Sequence, residues 1–194
     1  MAAFAHQHDI VWDIVARDLI FPIGFLALIV LGLAVRHLVG SQRPEGHLMV
    51  IFLVVGGVIS AIADLIFLGD VEYWRTTGWT AHPPEVMVAI GRASQAIDFL
   101  TRWTEAAGFA IVAAGVLYLA HLCRNRPELP AAVGALAYVE AVLLVGIAIA
   151  GAARWDTPYD VLSLLTGVLV GPILGIWLGL HFGRLALQPA TNPT

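Results

Sequence analysis

Charge is what this sequence has least of: Asp, Glu, Lys and Arg make up 12% of its 194 residues, against about a quarter in an ordinary soluble domain. Lysine is absent, so all 10 basic residues are arginines, and the formal net charge is −4. That balance offers no basic patch for nucleic acid. A lone cysteine, Cys123, excludes an internal disulfide and any CxxC redox or metal motif. Residues 1–13 carry His and Asp but no basic stretch, so a cleavable signal peptide is not expected. HExxH, GxSxG, a Walker loop and the dinucleotide glycine fingerprint are missing as well. Nucleophilic and nucleotide chemistry therefore has no sequence candidate.

What is present is apolar: 59% of the chain is hydrophobic. A run of about 20 such residues crosses a hydrocarbon core about 30 Å thick. Five runs qualify: residues 19–38, 48–69, 99–122, 129–153 and 161–182. The connections are too short to fold alone, so residues 1–194 are expected to form one membrane domain. The fold class is an all-α, polytopic integral membrane helical bundle with five transmembrane helices, in contact with the lipid bilayer all round.

Arg36 and Arg43 fall between spans 1 and 2, Arg124 and Arg126 between spans 3 and 4, and Arg184 after span 5. The other side carries Asp9, Asp13, Asp70, Glu72, Glu85, Asp156 and Asp160 beside Arg75, Arg92 and Arg154. Arginine near short loops marks the cytoplasmic side. The expected orientation is N-terminus out and C-terminus in, as a multi-pass protein of the cell inner (plasma) membrane. Arg43-Pro44-Glu45 and Arg126-Pro127-Glu128 recur in equivalent inner loops, although the two halves otherwise align poorly. Trp12, Trp74, Trp79, Trp103 and Trp155, with Tyr73 and Tyr159, fall near the outer boundary and read as an aromatic belt.

The polar residues inside these runs carry the functional reading. Glu140 lies near the middle of span 4, where a carboxylate is costly and marks a functional site by default. No basic residue lies at its depth, so the expected form is the neutral, protonated acid. Asp98, Arg102 and Glu105 are spaced i, i+4, i+7 on span 3 and share one helix face. Asp64 reaches a similar outer depth on span 2. If all face inward, Asp64, Asp98, Arg102, Glu105 and Glu140 form one outer-side ligand or proton site, with Arg102 orienting the acids. The bland alternative is an ion-pair network, Arg102 with Asp64, Asp98 or Glu105, that fixes helix register. Asp18, Asp98 and Asp160 each open an inward-running span, and helix capping is the first explanation for all three.

Span 5 carries Gly167, Gly171, Gly175, Gly179 and Gly183 at every fourth position. Such a strip lets a second helix approach closely, either Ala106, Ala110 and Ala113 of span 3 or another copy of the chain. Pro172 predicts a kink. Pro83-Pro84-Glu85 predicts a helix start, and residues 84–97 form an amphipathic segment that either rests in the interface or extends span 3.

His37, His47, His121 and His181 all fall near the inner surface; His6, His8 and His82 lie on the outer side. Haem needs histidines facing each other inside the bundle, and these lie at its boundary. The sequence therefore assigns no cofactor and no metal site; the four inner histidines are the candidates for haem or a metal ion, and His6, His8, Asp9 and His82 a weaker outer pattern for copper or zinc. The leading expectation is binding of a lipophilic or small cationic ligand at the carboxylate/Arg cluster. The alternative is a non-catalytic subunit, a homo-oligomer or partner in a membrane complex, docking through the glycine strip.

Overall fold

A computed structural model describes residues 11–39, 43–77, 82–127 and 129–186 of the chain, with side chains described for residues 22–70, 73 and 82–185 among these. The described residues are helical apart from short connections, and no strand occurs among them. Helix α1 spans Val11–Val39, α2 Pro44–Thr77, α3 Pro84–Asn125 and α4 Ala131–Ala153. The last span begins as α5 (Asp156–Leu164), passes through a π-helical segment (Leu165–Val170) and ends as α6 (Gly171–Ala186). Five of these helical stretches are long and apolar enough to cross a membrane. Consecutive spans run antiparallel. Their upper end carries Asp70, Asp98 and Asp156, and their lower end Arg36, His47 and Arg124.

Span α3 is the centre of the bundle, packed most extensively against α2 and α4. Its inward face reads Ser94, Thr101, Gly108, Gly115 and Leu122, all buried and seven residues apart. Small residues on this face let the backbones meet. A methyl group on Gly56 of α2 would lie 2.6 Å from the Val112 nitrogen and 2.8 Å from the Gly108 oxygen. In lipid no hydrophobic force drives helices together, so close van der Waals packing of this kind is what holds them. The lower core is filled by Val35, Met49, Leu53, Phe109, Val112, Leu119, Val133, Leu174 and Leu178. Large side chains such as Leu26, Val30, Ile51, Val142, Leu164 and Ile176 point outward. An apolar surface of that extent has no place in water and suits the interior of a membrane.

Two elements settle points that the sequence left open. The amphipathic stretch 84–97 is continuous with span 3: α3 runs unbroken for 42 residues, about 63 Å at 1.5 Å per residue. Its first turns, opened by Pro83 as N-cap and Pro84 inside the helix, stand above the apolar section beside the end of α2. Ser94 Oγ there donates to Asp70, 3.0 Å from each carboxylate oxygen. The kink expected at Pro172 takes the form of the π segment. Proline has no N–H to give to the residue four back, and just before it the Gly171 N–H donates to the Thr166 carbonyl five residues back.

Candidate functional site

The five ionisable residues singled out from the sequence occupy three levels. At the upper rim Arg102 bridges two helices: its Nε donates to Asp98 Oδ1 at 3.0 Å and its Nη1 to Asp156 Oδ1 at 2.7 Å. Arg154 adds a longer contact of 3.9 Å to Asp98 and lies over the Phe99 ring, 5.2 Å from its centroid. Arg154 is also the left-handed C-cap of α4, at φ 58°, which turns the chain sharply into α5. The rim is solvent-accessible, so these pairs hold the α3, α4 and α5 ends in register rather than forming a buried charge centre.

Asp98 is thus an ion-pair partner in mid-helix and not a cap. Asp18 and Asp160 likewise lie inside α1 and α5. The capping expectation fails because each helix begins several residues earlier than its apolar run, α3 at Pro84 and α5 at Asp156.

One tier down, Glu105 of α3 accepts a hydrogen bond from the Tyr159 hydroxyl of α5. Asp64 of α2 is 5% exposed. It stands one turn above Ser60, whose hydroxyl lies against Gly108, so its level is that of Thr101 to Glu105. Asp64 and Glu105 therefore share a depth, as expected. Tyr159, read from the sequence as part of an aromatic belt, turns inward instead. Trp103, Trp155 and Tyr73 are exposed. The side chains of Trp12 and Trp74 and all of Trp79 lie outside the described residues.

Glu140 is deeper and separate. Gly134, one and a half turns below it on α4, abuts Ala120 and Cys123 of α3; Gly151, three turns above it, abuts the Tyr159 ring. Eleven residues lie between Glu140 and that upper contact, about 16 Å along α4. The Glu140 side chain is 2% exposed, and its Oε2 has no hydrogen-bond partner among the described residues. It faces the π segment: a methyl group on Gly171 would lie 3.4 Å from Glu140 Oε1 and 2.7 Å from the Thr166 carbonyl. The obstacle to a side chain at Gly171 is the Thr166 carbonyl of the π turn, whereas the carboxyl lies at ordinary contact distance.

Two hydroxyls that the sequence reading passed over lie on the same side. Ser163 and Thr166 are 5% and 6% exposed, and neither side-chain oxygen has a partner among the described residues. Thr101 and Thr104 show the ordinary alternative, each bonding the carbonyl four residues back at 2.8 Å. The available signal was the buried face of the last span itself: Tyr159, Ser163, Thr166, Val170, Leu174 and Leu178 recur at helical spacing, polar above and apolar below. The glycine strip beside it masked that pattern. π segments inside α-helices occur frequently at functional sites.

The strip is not filled along its length. Gly167 is half-buried, Gly171 faces Glu140, and Gly175 touches Leu31 of α1 at an ordinary 3.6 Å. Gly179 and Gly183 have nothing within 4 Å. The neighbours it does have come from α1 and α4; of the span-3 alanines, Ala106 and Ala113 belong to the core, whereas Ala110 is exposed.

At the lower end His47 Nε2 sits 2.7 Å from Arg36 Nη2, His121 contacts Asn125, and the His181 ring tilts against Phe182. His37 is exposed. Among the described residues no three His, Cys, Asp or Glu side chains lie together as metal ligands; His6, His8 and Asp9 lie outside them. Cys123 is buried. Compared with protein-family models, curated proteins and solved structures, the chain has no match.

Proposed function

We propose that this chain is a multi-pass protein of the cell inner membrane, upper end outward, that binds a small lipophilic cation within the bilayer at Glu140. The observation that carries the reading is a carboxyl 2% exposed, at mid-span, with an oxygen lacking any partner among the described residues. A charge cannot stay unpaired at that depth, so the group holds a proton or exchanges it for a cation. Asp64 and Glu105, one tier above, are intermediate stations on the same side. Arg102, held by Asp98 and Asp156, keeps the rim in register.

The test is equilibrium binding of tetraphenylphosphonium to the purified protein, wild type against Glu140→Gln, Glu105→Gln and Arg102→Gln. Binding should be lost in Glu140→Gln, weakened in Glu105→Gln and retained in Arg102→Gln. Equal binding by wild type and Glu140→Gln would remove the basis of the proposal.

A second reading has its own observation. A Cβ at Gly179 or Gly183 would meet nothing within 4 Å among the described residues, which supports the lower half of the strip as the place to receive a helix from another copy or another membrane protein. A non-catalytic subunit would use that strip and leave Glu140 as architecture.

A further inference from the structure

Between the Tyr159–Glu105 pair and Glu140 the buried face of the last span presents two hydroxyls, Ser163 and Thr166, and then changes character. Val170, Leu174 and Leu178 continue the face downward, and all three are buried apolar residues. Polar groups thus line the bundle from its upper end to Glu140 and stop there. Each step along this face is three or four residues, about 5 Å. Neither the Ser163 nor the Thr166 hydroxyl has a partner among the described residues, and one water molecule can bridge polar groups a helical turn apart.

Leaving a buried hydroxyl without a partner costs roughly 1–3 kcal/mol. The Glu140, Ser163 and Thr166 oxygens would all bear such a cost on one face. Buried water typically makes about three hydrogen bonds to groups of this kind. The elements packed around Glu140 offer nothing else: α3 presents Val112, Ala113 and Val116 at its level, and α6 presents Gly171 and Leu174. Tyr118 of α3 stacks on Phe52 of α2, and the other titratable groups of those helices, among the described residues, lie well above (Glu85, Arg92, Asp98, Arg102, Glu105, Asp156, Tyr159, Asp160) or well below (His121, Cys123, Arg124, His181, Arg184).

We propose that Tyr159, Ser163 and Thr166 line a one-sided water path from the upper end of the bundle to Glu140, closed below by Val170, Leu174 and Leu178. The inference rests on Glu140 being the working group of the site and assigns the side from which water reaches it. Gly171, just before Pro172, closes the π turn by donating to the Thr166 carbonyl and lies beside the Glu140 carboxyl.

The test is cysteine accessibility in membrane vesicles, on a Cys123→Ala background, using silver ion as the thiol reagent because it is scarcely larger than water. Ser163→Cys, Thr166→Cys, Val170→Cys and lipid-facing Val168→Cys are compared, with exposed Thr157→Cys as the reporter of the upper side. Exposed thiols are counted afterwards by alkylation in denaturant. Ser163→Cys and Thr166→Cys should lose their alkylatable thiol in the vesicle orientation that consumes Thr157→Cys and keep it in the inverted one. Val170→Cys and Val168→Cys should keep it in both. If Ser163→Cys and Thr166→Cys are as inert as Val170→Cys, or react from both sides, there is no such path. The readout needs no ligand. Silver access as predicted, with tetraphenylphosphonium bound equally by wild type and Glu140→Gln or by neither, would overturn the Glu140 reading alone; Glu140-dependent binding without silver access would overturn the path alone. Tryptophan fluorescence and elution volume matching the parent identify folded variants, and Ser163→Ala, which removes the hydroxyl without adding sulfur, should slow silver access at Thr166→Cys.

Discussion

Replacing Gly56 by alanine tests whether the α2–α3 contact holds this bundle together. The added methyl would sit 2.6 Å from the Val112 nitrogen, 2.8 Å from the Gly108 oxygen and 2.8 Å from Val112 Cγ2. Two of these are backbone atoms and cannot swing aside. Reaching an ordinary contact of about 3.4 Å requires the helices to part by close to 1 Å, and a gap of that size forfeits about a quarter to a half of each dispersion contact along the seam. Overpacking of this kind costs about 1–3 kcal/mol, against which alanine returns up to about 1 kcal/mol of helix propensity. The expected net loss is about 1 kcal/mol, or roughly 2–4 °C in Tm for a chain of this size. The assay is thermal unfolding in detergent, with Gly91→Ala as control because nothing lies within 4 Å of that position. Gly91→Ala should be neutral or slightly stabilising. If Gly56→Ala unfolds at the temperature of Gly91→Ala, backbone approach at this seam is not what stabilises the fold.

Three further outcomes follow from individual contacts. Tyr159→Phe removes the hydroxyl that donates to Glu105 and should cost about 1–3 kcal/mol, the range for leaving a buried polar group without its partner, read by the same unfolding assay. Arg102→Ala breaks the exposed Asp98 and Asp156 pairs; exposed pairs contribute about 0–1 kcal/mol each, so the loss should be small and shrink further in high salt. A Cβ at Gly179 meets nothing within 4 Å among the described residues, so Gly179→Leu should leave the isolated protein's Tm unchanged. If the strip is a docking surface, the same substitution abolishes co-purification of the partner or copy, measured by size and subunit mass.

The five spans were legible in the sequence because lipid imposes a single requirement, length of apolar run, that each helix meets by itself. Helix ends were less legible: α2 and α3 continue past their apolar sections as a polar antiparallel pair, and no hydropathy pattern marks where a helix emerging from lipid must stop. The depth of the acids followed from counting residues, which placed Asp64 with Glu105 and set Glu140 lower. Partners did not follow. Arg102 finds Asp156 and Glu105 finds Tyr159, each 54 residues away in sequence, and only the turn at Arg154 brings those residues together. Ser163 and Thr166 went unnoticed because a serine or threonine in an apolar helix ordinarily bonds its own backbone. Only their buried oxygens, without a partner among the described residues, distinguish them.

The most direct test of Glu140 as the working group is its reaction with dicyclohexylcarbodiimide, a lipophilic reagent that couples to protonated carboxyl groups in apolar surroundings. The modified residue is located by peptide mass spectrometry, with and without saturating tetraphenylphosphonium. The account predicts one adduct, on Glu140, absent from Glu140→Gln and suppressed by the bound cation. Adducts confined to Asp64 or Glu105, or a Glu140 adduct indifferent to the cation, would contradict it.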